Sequence, residues 1–318
     1  MSALHQPPTT ALPTINDTLE IIHYHLLPSD LYTLCFTSKS IKQYLLSVRP
    51  SLSLLISERI IDYDTGKFPL NAITSKVLGV PVQELSQGNL HECMGVEPPG
   101  PAASKGPWRH LVNERWKHSP HRPELEQCYL QWLHSVIGPL MISNGETEMY
   151  YSRELLIRYH TPYRDNEGEF KNDIKRQQCE GSARPYGKRK GINRPGISTK
   201  RHADRDYGHP TGEVNVWLPV NDRVWGGNSL WRDRTVWEGE RRWEGEESSR
   251  AFELRFGEAI LWYGNGCKHE TRKNDTEVTR VSFDFRVIPG SLFEKRAECR
   301  TFDERGNYFL RMDLMNEL

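Results

Sequence analysis

The stretch Val278-Thr279-Arg280-Val281-Ser282-Phe283-Asp284-Phe285-Arg286-Val287-Ile288 alternates without a break. In an extended chain Thr279, Val281, Phe283, Phe285 and Val287 fall on one face. Val278, Arg280, Ser282, Asp284 and Arg286 fall on the other. A sustained period of two predicts a β-strand, the clearest in the chain. Upstream, Val214 to Val220, Phe252 to Phe256 and Ala259 to Tyr263 read as strands, the last two joined through Gly257-Glu258. Met149-Tyr150-Tyr151 and Leu155 to Tyr159 read the same way.

The front of the chain has a different period. Apolar residues from Leu19 to Leu55 recur at helical spacing, with a start at Ser29-Asp30 and a break over Thr37-Ser38-Lys39-Ser40. A short helix is expected to end at Gly79, and another to run from Trp108 to Trp116. Pro123 to Leu140 predicts one long helix with Leu125, Tyr129, Trp132, Leu133, Val136 and Leu140 on one face. Residues 1–12 read as a disordered leader, and the tail from Phe293 carries no strong pattern. A helical front third and an all-β back half favour a sandwich or barrel over an alternating α/β fold.

Composition sets outer bounds. Of 318 residues, 42 are Lys or Arg and 42 are Asp or Glu, so the formal net charge is zero. That balance argues against a dedicated nucleic-acid binder. Mean hydropathy is −0.68, polar for a folded chain, but 9 Trp, 13 Tyr and 10 Phe can build a core. The six cysteines show no C-x-x-C spacing. The first residues have no basic or apolar signal region, and no run approaches a membrane span of roughly 18 apolar residues. The expectation is a cytoplasmic protein with free thiols.

The chemistry concentrates at His202-Ala203-Asp204. Residues two apart point to the same side of an extended segment, so this tripeptide can offer two adjacent metal ligands. A third must come from a distant strand folded back beside it. His269 lies 65 residues past Asp204, and Arg280 and Ser282 follow it at 11 and 13 residues. Two histidines and a carboxylate form the facial set of non-heme Fe(II) sites, which leaves metal positions open for chemistry.

The H-x-D, the distant His and the Arg280-x-Ser282 together resemble the Fe(II)- and 2-oxoglutarate-dependent oxygenases. The resemblance extends through Tyr207-Gly208-His209-Pro210, Gly212-Glu213-Val214-Asn215, Trp217-Leu218-Pro219, Gly227-Asn228-Ser229-Leu230-Trp231 and Thr279 to Arg286. These motifs are similar to a streptomycin-biosynthesis-type, phytanoyl-CoA-hydroxylase-like clade, over roughly residues 125–290. The resemblance implies a fold that is mainly β with α. Its core would be a double-stranded β-helix, jelly-roll or cupin-like, over 122–318, preceded by a helical region over 13–121. It implies Fe(II) on His202, Asp204 and His269, 2-oxoglutarate on Arg280 and Ser282 with Trp217 walling its pocket, and O2 as oxidant. The substrate would be a small polar metabolite. Arg158, Arg164, Tyr207, His209, Asn215 and Asn228 are candidates to touch it or to support the ligands.

Several readings stay open at this point. His209 and Glu213 could themselves be ligands at helical spacing, although Pro210 and Gly212 oppose a helix. Asp284 and Arg286 could form a buried ion pair or touch substrate. The charged insertions at 165–200 and 232–250 read as solvated loops or as lids. The order Leu12-Pro13, Leu27-Pro28-Ser29-Asp30-Leu31, Cys35-Phe36-Thr37-Ser38-Lys39 resembles an F-box, which would make the chain a ubiquitin-ligase adaptor. That alternative needs Leu12, Pro13, Leu27 and Leu31 exposed. A packed helical cap is the plainer reading. A protein hydroxylase is a third.

Overall fold

The strand expected at 278–288 runs from Arg280 to Pro289 and is the spine of the fold. The computed structural model describes residues 28–35, 39–94, 107–163, 200–233, 249–293 and 308–316. Leu12, Pro13, Leu27, Arg164 and nearly all of the two charged insertions lie outside them.

Twelve strands are named in chain order among the described residues: β1 Arg59–Asp62, β2 Glu148–Ser152, β3 Leu156–His160, β4 Val214–Pro219, β5 Arg223–Val224, β6 Leu230–Asp233, β7 Ser249–Ala251, β8 Leu254–Arg255, β9 Glu258–Trp262, β10 His269–Thr271, β11 Arg280–Pro289 and β12 Phe309–Asp313. The main sheet is antiparallel in the order β1-β9-β4-β11-β2-β12, with β3 also paired to β11. One edge of β11 takes β4, from Ser282↔Pro219 to Val287↔Val214. Its other edge takes β3 and then β2. A three-stranded sheet, β10-β6-β7, and the pair β5-β8 complete the set.

The alternation of β11 divides the molecule. Val281, Phe283, Phe285 and Val287 are fully buried and share a core with Val214, Val216, Leu218, Ala259 and Leu261 of the neighbouring strands. Helices cover this face. Phe285 meets the rings of Tyr129 and Trp132 edge-on at 5.0 and 5.5 Å, a favoured aromatic geometry. The opposite face carries Arg280, Ser282, Asp284 and Arg286 from β11, and across the pairing Asn215, Trp217, Ile260 and Trp262. Trp217, Ile260 and Trp262 join Val224, Phe252, Leu254 and Cys267 in a second, smaller apolar cluster.

Three expectations need correcting. The long helix is present but interrupted: Arg122–Trp132 is α-helical, Leu133–Ile137 is a π-helical turn, and Gly138–Ser143 resumes the α-helix. The wider turn shifts the phase, so Ile137 and Met141 are buried where Val136 and Leu140 were expected. The run Phe252 to Phe256 is not one strand. The Phe252 amide donates to Leu230 O at 2.9 Å, beside β6, and the chain then crosses to β5 at Leu254. The tail is not patternless, since β12 pairs with β2. Leu31 is wholly buried in the main core, in line with a packed helical cap and not with the exposure that an adaptor needs.

The front third and the β region share that core, and β1 is the edge strand beside β9. Polar ties reinforce the join. The buried Glu146 carboxylate accepts from the hydroxyls of Ser51 and Ser291 and from the Ser291 amide. Asn221, also buried, donates to the carbonyls of Leu85 and Thr279, both at 3.0 Å, and accepts from the Val281 amide. Replacing it removes three hydrogen bonds to backbone groups, of which the Leu85 carbonyl alone keeps another partner among the described residues, the Gly88 amide at 3.2 Å. Asn221→Ala should therefore cost about 2–4 kcal/mol. Urea denaturation should show a lower midpoint at unchanged slope. A loss of less than about 0.5 kcal/mol would mean that water or a shifted main chain replaces the amide.

Candidate metal and anion site

His202 and His269 are held together by their own backbones. The His269 amide donates to His202 O at 2.8 Å and the His202 amide to His269 O at 3.0 Å. A mutually bonded pair puts both side chains on one side, and the rings lie 4.3 Å apart. Ala203 is extended, but Asp204 opens a 3-10 turn, Asp204–Tyr207. The expectation of a fully extended H-x-D is thus corrected at its last residue. The Asp206 carboxylate accepts from the Ala203 amide at 3.0 Å and closes this turn. The Asp204 amide donates to Gly264 O at 3.0 Å, which anchors the carboxylate beside the histidines.

The orientation of each group suits a cation. His202 Nδ1 lies 2.6 Å from Lys200 O and His269 Nδ1 lies 3.1 Å from Cys267 O. A carbonyl only accepts, so both Nδ1 atoms carry a proton, and each Nε2 faces Asp204 as a donor when protonated and offers a lone pair to a cation when not. Those Nε2 atoms lie 3.6 and 3.5 Å from one oxygen, Asp204 Oδ1. Burial alone would raise the pKa of Asp204. The facing His202, and Arg286 behind it, instead hold it far below the usual carboxylate range, so the carboxylate is charged at neutral pH.

Asp204 Oδ2 faces the other way. It accepts from Asn215 Nδ2 at 2.6 Å and lies 3.8 Å from Arg286 Nη2. Asn215 Oδ1 in turn accepts from the Gly264 amide at 3.0 Å. Arg286 continues to Glu213 Oε1 at 3.3 Å and to Asp284 Oδ1 at 2.9 Å, and His209 Nδ1 lies 3.1 Å from Glu213 Oε2. The segment from His209 to Glu213 is not helical, yet the two side chains meet. Asp284 and Arg286 form the ion pair that was one of two readings.

Along the same face of β11, Arg280 and Ser282 are buried, and Arg280 Nε, Arg280 Nη1 and Ser282 Oγ have no hydrogen-bond partner among the described residues. Burial, and then the nearby Arg158, push the Arg280 pKa down. A buried guanidinium without an anion is costly, so Arg280 and Ser282 are candidates to hold an anionic group. Trp217 is beside them, its ring 5.6 Å from the Arg280 guanidinium. Trp217, Phe252 and Trp262 make successive ring contacts at 5.8 and 5.5 Å, and Trp262 meets His269 edge-on at 4.6 Å. An aromatic wall thus links the anion pocket to the histidines.

The remaining candidates are dispersed around this wall. Arg158 is half exposed and pairs with Asp284 Oδ2 at 3.3 Å. Tyr207 packs edge-on against His202 at 4.7 Å and reaches solvent. Asn228 is buried and uses its Oδ1 to accept from the Trp225 amide at 2.8 Å. Sequence reasoning passed over Phe252, Trp262 and Gly264. The first two look like ordinary strand apolars. Gly264 had only a turn signal, yet a Cβ there would fall 2.5 Å from Asp204 Oδ2 and 2.6 Å from Asn215.

This chain is similar to the streptomycin biosynthesis protein StrG of Streptomyces griseus, with 41% identity over 93 residues. The match spans 29% of this chain and 39% of StrG. No protein-family model matches the chain. Two solved structures of the non-heme monooxygenase ThoJ, one in complex with nickel and one without ligand, each align over 77% of both chains. Their identities are 11% and 10% and their TM-scores 0.35 and 0.36, a likeness too distant to carry fold or chemistry. Among the described residues, no helix is long and apolar enough to cross a membrane.

The close approach at Gly264 gives a direct test. Gly264→Ala pushes on Asp204 and Asn215 together. Spectroscopic Co(II) titration should show affinity weakened by roughly 10–100-fold, the usual cost of disturbing support for a ligand. Wild-type affinity in this variant would show that the backbone there yields freely.

Proposed function

We propose that the protein is a non-heme iron oxygenase that uses 2-oxoglutarate and O2 to oxidise a C–H bond of a small polar metabolite. One observation carries the reading. A two-histidine, one-carboxylate cluster with its ligand atoms within 4.8 Å is joined through Trp262, Phe252 and Trp217 to a buried arginine and serine whose polar atoms have no hydrogen-bond partner among the described residues. His202, Asp204 and His269 would hold Fe(II), and Arg280 and Ser282 the distal carboxylate of 2-oxoglutarate. When iron, 2-oxoglutarate and O2 are bound, such a site couples decarboxylation to succinate and CO2 with insertion of one oxygen atom into the substrate C–H bond.

The chain's own contribution is orientation and dryness. The Lys200 and Cys267 carbonyls fix both imidazoles in the tautomer that presents Nε2. Asn215 and Arg286 hold Asp204 so that Oδ1 faces the histidines. Trp217, Phe252 and Trp262 exclude water between the two halves of the site, which strengthens each charge interaction within it. Tyr207, which reaches solvent beside His202, and the half-exposed Arg158 would be the residues to meet a substrate. The similarity to StrG supports a place in small-molecule biosynthesis, and the antiparallel sheets are compatible with a jelly-roll core.

Anaerobic addition of Fe(II) and then 2-oxoglutarate should give the weak visible charge-transfer band of the chelate, and its absence in the wild type would sink the proposal. Arg280→Ala should still bind the metal but lose about 100-fold in 2-oxoglutarate affinity, the worth of a buried charge-assisted pair. Unchanged co-substrate affinity would remove Arg280 from the site.

A further inference from the structure

A second group of ligand-type side chains lies behind the first. Asp204, His209 and Glu213 are all buried and also offer three ligand atoms within 4.8 Å of one another. The two groups share Asp204. By donor chemistry alone both suit a divalent ion. They differ in one respect: Arg286 reaches into the second. Its guanidinium lies 3.3 Å from Glu213 Oε1 and 3.8 Å from Asp204 Oδ2.

The position of Arg286 is set by register. Arg286 and Asn215 are direct cross-strand partners on β11 and β4, and both reach Asp204 Oδ2. The Nη1 atom is anchored by Asp284 at 2.9 Å. Guanidinium stays charged at any pH the fold survives, so this cation cannot leave by losing a proton. Without it, Glu213 and Asp204 would be two buried carboxylates beside His209, a donor set that suits a divalent ion.

We propose that Arg286 is a positioning residue that fills the Asp204–His209–Glu213 cluster and so confines a divalent ion to the His202–Asp204–His269 side of the carboxylate. The inference rests on the metal centre proposed above. It adds that the centre holds one ion because a protein cation has taken the place of a second.

The test is stoichiometry, measured anaerobically on the full chain with Co(II) as the probe. Wild type and Arg286→Lys should each bind one equivalent. Arg286→Met, which keeps bulk and removes charge, should bind two, with a new component in the visible spectrum. Arg286→Met combined with Glu213→Gln should return to one. A single equivalent with the wild-type spectrum in Arg286→Met, or two equivalents in wild type, would overturn the proposal. No Co(II) bound by folded wild type would instead overturn the metal centre itself. Should Arg286→Met fail to fold by near-ultraviolet circular dichroism, Glu213→Gln carries the test. There the guanidinium keeps Asp284 but loses Glu213, which draws it further onto Asp204, and Co(II) affinity should fall at least about tenfold at an unchanged unfolding midpoint. Unchanged affinity in Glu213→Gln would overturn the proposal equally.

Discussion

The mutual backbone bonds between His202 and His269 are the constraint on which the site depends. They tie a loop to the end strand of the small sheet and fix the spacing of two imidazoles before any side chain acts. Asp204 then needs only one anchor, its amide on Gly264 O, to bring its carboxylate level with them. Main-chain pairing does the coarse work because it is rigid and short. Asn215, Arg286 and the carbonyls at Lys200 and Cys267 do the fine work of turning each ligand atom inward.

β11 serves both halves of the molecule. Its apolar face packs on Tyr129 and Trp132 and belongs to the main core. Its polar face sets Arg280, Ser282, Asp284 and Arg286 in a row, unpaired pocket donors at one end and paired charges at the other. A strand buried on both faces is normally a continuous apolar run. Here polar residues persist on a buried face, and such exceptions to local rules collect where a chain has work to do.

Much of this was legible in the sequence, for identifiable reasons. The alternation of 278–288 reports a face on core and a face on something polar. His202, Asp204, His269, Arg280 and Ser282 stand at intervals that suggest one site, and the structure brings the first three into contact. What stayed hidden depends on distant partners. β1 has too short a run to signal a strand, and it exists because β9 offers it an edge. The π-helical turn at Leu133–Ile137 leaves no local mark, so the phase of the following turn was misassigned. Gly264 looks like any turn glycine until Asp204 and Asn215 arrive beside it. The F-box-like order at the front left both a packed cap and an adaptor open, because helical spacing alone cannot say whether a face meets its own core or a partner; the buried Leu31 sides with the cap.

The bridge at His202 has a consequence for how the molecule is made. Its two strands of chain are separated by most of the β region, and β1 must wait for β9, nearly the whole domain away. Contacts of such long sequence separation are slow to form, because chain entropy is lost before they repay it. The proposed ligand set is therefore incomplete wherever that bridge has not formed, because His202 and Asp204 are then neighbours without His269. A divalent ion bound by three ligands in the native state and two elsewhere favours the native state by mass action. It would act as a clasp on the topology, closing last and holding the rest shut.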